Sequence, residues 1–513
     1  MVMPAAHTPA PLSLKRGEGE PQQGHSVPRP LGRELVEIKE VGIVKDVRRG
    51  IARIEGLSSC INSQMIHFAS GTKGIVMGFN EKDVWALVMG DETSVSSGEE
   101  VTSKVEPFRV PVGHGYLGRV VNSLAEPMDN RGPIKPDDFY PVFREATGVI
   151  DRMPVDTPLE TGIKIIDLVI PIGRGQRELV IGDRMIGKST IGMDTIINQK
   201  GKDVICIYCC IGRSQASLLK TVQLFQEYGA MDYTIVVAAT GADSANAQYL
   251  VPYTACALGE YFMFAGKNVF VVFDDLTRHA WAYRQIALLL ERAPGREAYP
   301  GDIFYIHSQM MERAGKLKPD LGGGTMTFLP IIETIQGDFT GFIPTNLISI
   351  TDGQIYLSTS LFYEGFKPAI DMGLSISRVG SKAQYPAIKD VSKMLRLEYI
   401  QYRELLKLTR LRTRYSPEVE TKLKRGQILT ILFEQDKYKP LAVEEEAVIF
   451  YAFKIRILDL MSVNAVTLFK ANIMGFLDKN YPQVLVKIRE TKKLSPEITE
   501  QLDKALMEFF KHK

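Results

Sequence analysis

The sequence contains no uninterrupted apolar segment that approaches the roughly 20 residues a helix needs to span a bilayer. Its formal net charge is only +2, so the composition shows no excess of positive charge for binding polyanions such as nucleic acids. Residues 1–30 lack the apolar core of a secretory signal, and Glu18 and Glu20 argue against a transit peptide. We therefore expect a globular protein that acts on any membrane from outside the lipid, with a disordered tail over residues 1–32.

Cysteine is scarce, and its placement excludes a disulfide framework or a zinc site. The five cysteines are Cys60, Cys206, Cys209, Cys210 and Cys256. Cys206 and Cys209 have the spacing of a redox or zinc pair, but they lie in an apolar run typical of a buried strand. Residues three apart on a strand point to opposite faces, and no second pair completes a zinc site. We predict reduced, buried thiols in a cytosol-like compartment.

Three kinds of pattern follow one another along the chain, whose 513 residues exceed the size of one core. Between residues 33 and 109, short alternating strands and turns predict a small β-barrel. Residues 110–384 alternate fully apolar strands with helices, which predicts a mostly parallel sheet covered on both faces. Residues 385–513 contain long stretches without Gly or Pro and predict a helical domain. The predicted strands of the sheet are residues 179–181, 204–211, 234–238, 269–273 and 347–350.

The first of these strands leads into a glycine loop and then a segment with helical spacing. Its pattern, Gly182-x-x-x-x-Gly187-Lys188-Ser189, is that of a phosphate-binding loop, although a glycine turn between two core elements is the alternative. In such a loop the backbone amides and the helix N-terminus hold phosphate, Lys188 reaches the outer phosphates and Ser189 binds Mg²⁺. The predicted phosphate-binding residues are Gly182, Asp183, Arg184, Met185, Ile186, Gly187, Lys188, Ser189 and Thr190.

A phosphate loop needs an acidic partner for the magnesium ion, usually at the end of a neighbouring strand. Asp274 follows five apolar residues, so it should emerge at the carboxyl edge of the sheet, where ligands bind in such folds. We predict that Asp274 shares the Mg²⁺ with Ser189. The next residue, Asp275, could equally cap a helix.

Cleavage of a phosphate also needs a group that positions the attacking water, commonly a carboxylate at the end of the next strand. That strand ends at Arg213, whose cation attracts phosphate but cannot orient or activate water. The pattern therefore indicates a site that holds a nucleotide and is poorly built to cleave one. The missing acid also argues against an autonomous hexameric ATPase, such as a ring helicase or a secretion motor, and the near-neutral charge argues against the helicase.

A further arginine, Arg378, lies in a turn rich in Ser and Gly, where small neighbours let a partner approach closely. It could form a plain surface ion pair, or it could be an arginine finger that stabilises a phosphoryl-transfer transition state on a neighbouring subunit. The spacing alone does not decide between them.

Five further segments carry a family resemblance: Pro171-Ile-Gly-Arg-Gly-Gln-Arg-Glu-Leu, Ala282-Tyr-Arg-Gln, Pro294-Gly-Arg-Glu-Ala-Tyr-Pro-Gly-Asp, Ile343-Pro-Thr-Asn-Leu-Ile-Ser-Ile-Thr-Asp-Gly-Gln and Gly373-Leu-Ser-Ile-Ser-Arg-Val-Gly-Ser. With the phosphate loop, they resemble the alpha subunit of F-type (rotary) ATP synthases over nearly the whole chain after the tail. The resemblance implies a β-barrel, a RecA-like P-loop domain and a C-terminal helical bundle. It disfavours the catalytic beta subunit, because Arg213 replaces the acid.

The resemblance implies a complex that makes ATP from ADP and phosphate, driven by a proton or sodium gradient. Three alpha subunits would alternate with three catalytic beta subunits around a gamma central stalk, with delta and b forming the peripheral stalk. A membrane-embedded ion-translocating sector is reached only indirectly, and no nucleic acid is bound. The expected location is the cytoplasmic face of a bacterial inner membrane rather than an organellar or thylakoid membrane.

The resemblance also assigns roles to residues. The alpha site binds MgATP without turning it over, with ATP or ADP and Mg²⁺ as cofactors, and the arginine finger corresponds to Arg378. Family positions around the adenine carry over to Phe362, Pro368 and Gln435.

The departures from the family pattern concentrate at the chain's own nucleotide site. Met185 and Ile186 replace Gln and Thr in the loop, and Arg213 stands where the family has Gly-Gln-Lys after the next strand. Lys437 replaces a second Gln beside the base, and Lys367 replaces an Arg. Because the Arg378 segment is intact, we hypothesise that the chain keeps its structural role and its arginine finger while its own nucleotide site has relaxed.

This hypothesis predicts weak binding of MgATP to the purified full-length chain, since two polar contacts of the phosphate loop are lost. Equilibrium dialysis measures the affinity directly. Tight binding, of the kind that retains a structural nucleotide through purification, would contradict the hypothesis.

Overall fold

The computed structural model of the chain describes residues 40–409 and 416–511, so the tail predicted over residues 1–32 lies outside the described residues. The strands are β1 Glu40–Arg48, β2 Ile51–Glu55, β3 Gln64–Phe68, β4 Lys73–Phe79, β5 Asp83–Met89, β6 Glu100–Pro107, β7 Arg109–Val112, β8 Val120–Val121, β9 Asp138–Pro141, β10 Leu179–Gly182, β11 Val204–Arg213, β12 Thr234–Thr240, β13 Asn268–Asp274, β14 Gly315–Lys316, β15 Thr325–Glu333, β16 Gly353–Tyr356 and β17 Ile376–Ser377. The helices are α1 Lys164–Val169, α2 Lys188–Ile197, α3 Gln215–Glu227, α4 Ala245–Phe264, α5 Leu276–Leu289, α6 Ile303–Met311, α7 Phe342–Ile350, α8 Thr359–Tyr363, α9 Pro386–Ser392, α10 Leu395–Thr409, α11 Pro417–Phe433, α12 Val443–Lys454, α13 Val463–Asn480, α14 Pro482–Thr491 and α15 Pro496–Lys511.

The first six strands form a closed antiparallel barrel in the order β1-β2-β5-β4-β3-β6, with β6 pairing back onto β1. The hairpin between β1 and β2 turns at Arg49 and Gly50, which both have positive φ. Side chains such as Val44, Ile54 and Ile66 alternate inward and fill the barrel with its own apolar core. The β-barrel predicted from the alternating strands is confirmed.

The central sheet runs β17-β16-β10-β15-β13-β11-β12-β8, and the pairs from β16 to β8 are parallel. Both faces are buried: Val180 packs into one apolar core, whereas Leu179 and Ile181 pack into another. Burial on both faces explains why the strands are apolar runs rather than alternating patterns. Because the strands are parallel, the residues at their carboxyl ends, such as Gly182 and Glu333, are brought to one edge, where these two pair.

Two features of this region differ from the sequence predictions. The segment 347–350, predicted as a strand, is the end of α7, in which Ile343 and Leu347 are buried one helical turn apart. Short apolar runs do not separate strand from helix by composition alone. The strands β8, β14, β15, β16 and β17 of this sheet were not predicted, and the longest of them is β15, whose Pro330 is a residue that usually argues against a central strand.

The C-terminal region is helical from α9 to α15, as predicted. Ser416 is the N-cap residue of α11, whose first residue is Pro417, although its side chain accepts no capping hydrogen bond. Ser495 precedes Pro496, the first residue of α15, and its hydroxyl does accept a hydrogen bond from the backbone N–H of Ile498 at 3.4 Å. None of the helices in the described residues is long and apolar enough to cross a membrane. The domain limits placed at residues 109 and 384 stay predictions.

The five cysteines are all buried and free, as predicted. On β11, Cys206 and Cys210 pack into the apolar core on one face of the sheet, and Cys209 packs into the core on the other. Burial raises the pKa of Cys210 to about 12 and that of Cys256 to about 12. The side chains of Cys206 and Cys209 therefore lie on opposite faces of the sheet, and none of the five cysteines is available as a thiolate.

We predict that the native chain resists alkylation of these thiols. A shift from an ordinary pKa of 9.0 to about 12 lowers the thiolate fraction at pH 8 by about a thousandfold. Mass spectrometry after brief exposure to iodoacetamide should find Cys206, Cys209 and Cys210 unmodified in the folded chain. All should be modified after denaturation. Rapid labelling of any of these three in the native chain would contradict the burial.

Candidate functional site

The phosphate loop has the predicted strand–loop–helix form, running from β10 to α2. Gly187, the N-cap residue of α2, has φ 104°, a left-handed conformation that favours glycine. A Cβ at Gly182 would lie 2.7 Å from the Ile186 Cδ1 atom and 2.8 Å from the Leu357 carbonyl oxygen. Both glycines of the motif are therefore required by the backbone, whether or not a phosphate is bound.

Asp183 fixes the loop to the turn that follows β15 and to the start of α8. Its Oδ1 accepts hydrogen bonds from the Thr334 hydroxyl at 2.6 Å and the Gly337 N–H at 2.8 Å, and its Oδ2 accepts from the Thr359 hydroxyl at 2.8 Å. Partial burial acts to raise the pKa of Asp183, but these hydrogen bonds outweigh it and lower that pKa. The side chain of Asp183 thus holds the loop in shape, and its place among the phosphate-binding residues stays a prediction.

The two apolar substitutions in the loop have different environments. Met185 is 92% exposed, whereas Ile186 is only 5% exposed and packs into the apolar core beneath the loop. Ile186 therefore fills space within the fold.

A cavity of about 820 Å³ opens beside the loop. It is lined by the predicted residues Arg184, Met185, Ile186, Gly187, Lys188, Ser189, Thr190, Phe362, Pro368, Gln435 and Lys437, and by others including Arg213, Arg278, Glu333 and Asp194. Of the predicted site residues, Gly182, Asp183, Asp274 and Arg378 do not line it. This volume is typical of a small-molecule site. The same cavity is lined by the phosphate loop and by the residues predicted to lie around the adenine.

Gln435 also lines the cavity, but its amide group is already fully used. Its Nε2 donates to the carbonyl oxygens of Gly162 at 2.7 Å and Lys439 at 2.9 Å. Its Oε1 accepts from the Lys164 N–H at 3.1 Å. Both amide hydrogens are thus spent on the backbone, so Gln435 shapes the cavity and cannot donate to a base in this arrangement.

Arg213 stands between the two residues predicted to hold Mg²⁺. Its Nη2 donates to the Ser189 Oγ at 2.5 Å, and its Nε donates to the Asp274 Oδ1 at 3.1 Å. The Tyr208 hydroxyl donates to the other oxygen of Asp274 at 2.5 Å. Burial acts to lower the pKa of Arg213, but the negative charge of Asp274 outweighs it and holds that pKa above its ordinary value.

These residues do not fit a magnesium ion. Ser189 and Asp274 are brought together as predicted, but the guanidinium of Arg213 contacts both of them. In the part of the chain that the structure describes, no group of three or more His, Cys, Asp or Glu side chains could hold a metal. The magnesium site stays a prediction with which this geometry disagrees. The neighbouring Asp275 caps α5, accepting from the Arg278 N–H at 3.0 Å.

Glu333 is a site residue that the sequence analysis missed. It ends β15, lines the cavity, and its Oε2 accepts from the Arg184 Nε at 2.8 Å. Its charge also faces Lys188, whose pKa burial lowers while Glu333 opposes the change. The signal that could have found it is the one used for Asp274, a carboxylate directly after an apolar strand.

Arg378 lies away from this cavity. It is exposed, and it lines a separate cavity of about 380 Å³ together with Arg177 and Asp352. Its backbone N–H donates to the Asp352 carbonyl at 2.9 Å, and its guanidinium makes one long hydrogen bond of 3.5 Å to the Ile348 carbonyl. Asp352 is itself held by two hydrogen bonds from the Arg177 guanidinium, at 3.0 and 2.9 Å. The backbone at Arg378 is thus anchored while its side chain is loosely held.

A phosphate loop at the carboxyl edge of a mostly parallel sheet, with a barrel before it and helices after it, defines a P-loop nucleotide-binding protein of three parts. Comparison with protein families agrees along the chain. Residues 37–104 match the beta-barrel domain of the ATP synthase alpha/beta family, residues 162–377 match its nucleotide-binding domain, and residues 384–509 match the C-terminal domain of the ATP synthase alpha/beta chain.

Individual relatives are more specific. The chain is 48% identical to "ATP synthase subunit alpha" of Petrotoga mobilis over 480 residues, covering 93% of this chain and 95% of the relative. It is also 48% identical to the proteins of that name from Clostridium acetobutylicum, over 93% and 94% of the two chains, and Caldanaerobacter subterraneus subsp. tengcongensis, over 92% and 94%. The chain belongs to the ATP synthase alpha/beta family and, within it, to the alpha subunits, which are parts of an ATP synthase complex.

The buried carboxyl of Asp194, which lines the cavity, predicts a pH-dependent stability. Burial raises its pKa from 3.8 to about 7, opposed by a 2.8 Å hydrogen bond from the Tyr438 N–H and by the charge of Lys437. Because the folded pKa lies above the unfolded value, the folded chain binds this proton more tightly. The resulting stability is present below about pH 4 and is lost as the pH rises through about 7.

The variant Asp194→Asn keeps the acceptor oxygen and removes the titration. We expect it to be more stable than the parent chain at pH 8, by up to about 4 kcal/mol, and to lose this advantage near pH 4. Urea unfolding at both pH values measures the difference. The exposed Asp232→Asn is the control and should follow the parent chain at both. An Asp194→Asn advantage that does not change with pH would refute the assignment.

Proposed function

We propose that this chain is the non-catalytic nucleotide-binding subunit of a rotary ATP synthase, which makes ATP from ADP and phosphate using a transmembrane proton or sodium gradient. Its own cavity binds a nucleotide that it does not cleave. Arg378 acts in trans, as an arginine finger on the nucleotide of a neighbouring catalytic beta subunit. The observation that carries this proposal is the separation of the exposed, loosely held Arg378 from the chain's own phosphate loop.

The absence of catalysis is supported by the groups around the loop. Arg213 ends β11, next to the loop, and a permanently charged guanidinium cannot accept a proton from water. Glu333 is a carboxylate within the same cavity, but its oxygen pairs with Arg184 at 2.8 Å. A carboxylate held in an ion pair is a poor general base, because proton uptake would break that pair.

The finger role of Arg378 is supported by what the residue does not do. No carboxylate among residues 40–409 and 416–511 forms an ion pair with its guanidinium, whose hydrogen bond to the Ile348 carbonyl is long, at 3.5 Å. Its backbone is fixed to Asp352, at the start of the strand β16 next to its own strand β17. An arginine whose backbone is anchored and whose guanidinium is only loosely held is suited to reach a phosphate on another subunit.

The assembly that this role needs is part of the proposal. Three copies of the chain alternate with three beta subunits around a gamma central stalk, and delta and b subunits form the peripheral stalk. The chain contacts the membrane-embedded ion-translocating sector only indirectly, on the cytoplasmic face of a bacterial inner membrane. The relatives named above as ATP synthase alpha subunits support this arrangement.

The finger predicts the effect of Arg378→Ala in a complex reconstituted from this chain with beta and gamma subunits. We expect ATP hydrolysis to fall by about 10³-fold or more, because a cation that stabilises the transition state is lost. Arg378→Lys should recover only part of the rate, since an ammonium lacks the planar fork that matches phosphate. Steady-state hydrolysis of ATP measures both.

The matched control is Lys389→Ala, which removes an exposed positive charge from the nearby helix α9 and should leave the rate unchanged. The purified chain without beta subunits should hydrolyse ATP negligibly. Brisk turnover by the chain alone would refute the non-catalytic role. An assembled Arg378→Ala complex with full activity would refute the finger.

A further inference from the structure

The guanidinium of Arg213 occupies the position between the phosphate loop and the adjoining strand that a nucleotide's metal ion would need. It contacts the Ser189 hydroxyl at 2.5 Å and the carboxylate of Asp274 through both Nε and Nη2. These are the two side chains that a magnesium ion would share. The guanidinium of Arg213 therefore makes the contacts with Ser189 and Asp274 that are expected of a magnesium ion.

The position of the Arg213 guanidinium is fixed by the fold. Asp274 is fully buried, and both of its carboxylate oxygens already accept hydrogen bonds, one from Arg213 and the other from Tyr208 at 2.5 Å. Moving Arg213 away to admit a metal would leave a buried carboxylate without its counter-charge, which is costly. The guanidinium also cannot give up its charge by deprotonation, since arginine stays protonated in proteins.

The charge lining the cavity suits a ligand that brings no cation of its own. Seven lysine and arginine side chains line it against three carboxylates. A free nucleoside triphosphate carries more negative charge than its magnesium complex, so it matches this surplus of positive charge better. Arginine also offers a planar fork of N–H donors that fits phosphate oxygens, whereas a second cation beside it would be repelled.

From this geometry we infer that the cavity binds its nucleoside polyphosphate without a divalent metal ion, with Arg213 serving as the cation that joins the phosphates to Ser189 and Asp274. The inference rests on the nucleotide binding proposed above and adds which form of the nucleotide is taken. It also explains why a chain with Arg213 at the end of β11 keeps the lysine and serine of its phosphate loop.

The test is the affinity of the purified full-length chain for ATP, measured by equilibrium dialysis in excess EDTA and again in excess Mg²⁺. We expect the apparent dissociation constant to rise by about tenfold or more in excess Mg²⁺, because the metal draws ATP into a complex that the cavity does not take. A dissociation constant that is unchanged or lower in Mg²⁺ would overturn the inference and leave nucleotide binding intact. Failure to bind ATP under either condition would instead overturn the proposed nucleotide site, and the inference with it.

The variant Arg213→Gln separates the two cations further. Without the guanidinium, binding in EDTA should weaken by about tenfold or more, and added Mg²⁺ should now restore it. The control Arg48→Gln removes an exposed arginine of the barrel and should behave as the parent chain. Binding by Arg213→Gln that is unchanged in EDTA would overturn the inference. If Arg213→Gln does not fold, the parent chain's affinities with and without Mg²⁺ still decide.

Discussion

The parallel hydrogen bonding of β10, β15, β13 and β11 fixes where the polar residues of the site lie. The strands are paired in register, so Gly182 lies opposite Glu333 and Cys210 lies opposite Asp274. Each carboxyl end then leaves the apolar interior at the same edge. Residues far apart in the sequence meet there because backbone amides and carbonyls are matched strand by strand. The phosphate loop, the carboxylates and Arg213 follow or end different strands, and the pairing of those strands is what brings them together.

The carboxylates at this edge are stabilised by ion pairs and hydrogen bonds within the protein rather than by contact with water. Arg213 neutralises the charge of Asp274 and Arg184 that of Glu333, whereas the charged carboxylate of Asp183 accepts hydrogen bonds from three donors. Each pairing also determines what the group is free to do. A carboxylate that already holds a guanidinium is not available to a water or a metal, so the same contacts that stabilise the fold remove catalytic options.

Local pattern was sufficient to predict the strand–loop–helix form of the phosphate loop and the three kinds of folded region, and it left helix capping by Asp275 as one of two alternatives. Each depends on neighbours in sequence. The contact of Arg213 with Asp274, between the ends of β11 and β13, could not be predicted, because a long side chain has many rotamers and only the register of the two strands brings the residues together. Glu333 was missed with its strand, and the strand predicted at 347–350 is helix, since a short apolar run fits either. The use of the Gln435 amide by the backbone likewise depends on contacts that are distant in sequence.

The hydrogen bonds of Gln435 to the backbone join two regions of the chain. It follows α11 of the helical region, donates to the carbonyl oxygen of Gly162, which precedes β10, and lines the same cavity as the phosphate loop. The cavity therefore lies where the sheet region and the helices meet. An apolar core shared by the sheet and the helices, with residues such as Val180 and Leu429, already holds the two regions together, and a molecule in the cavity would add contacts to both.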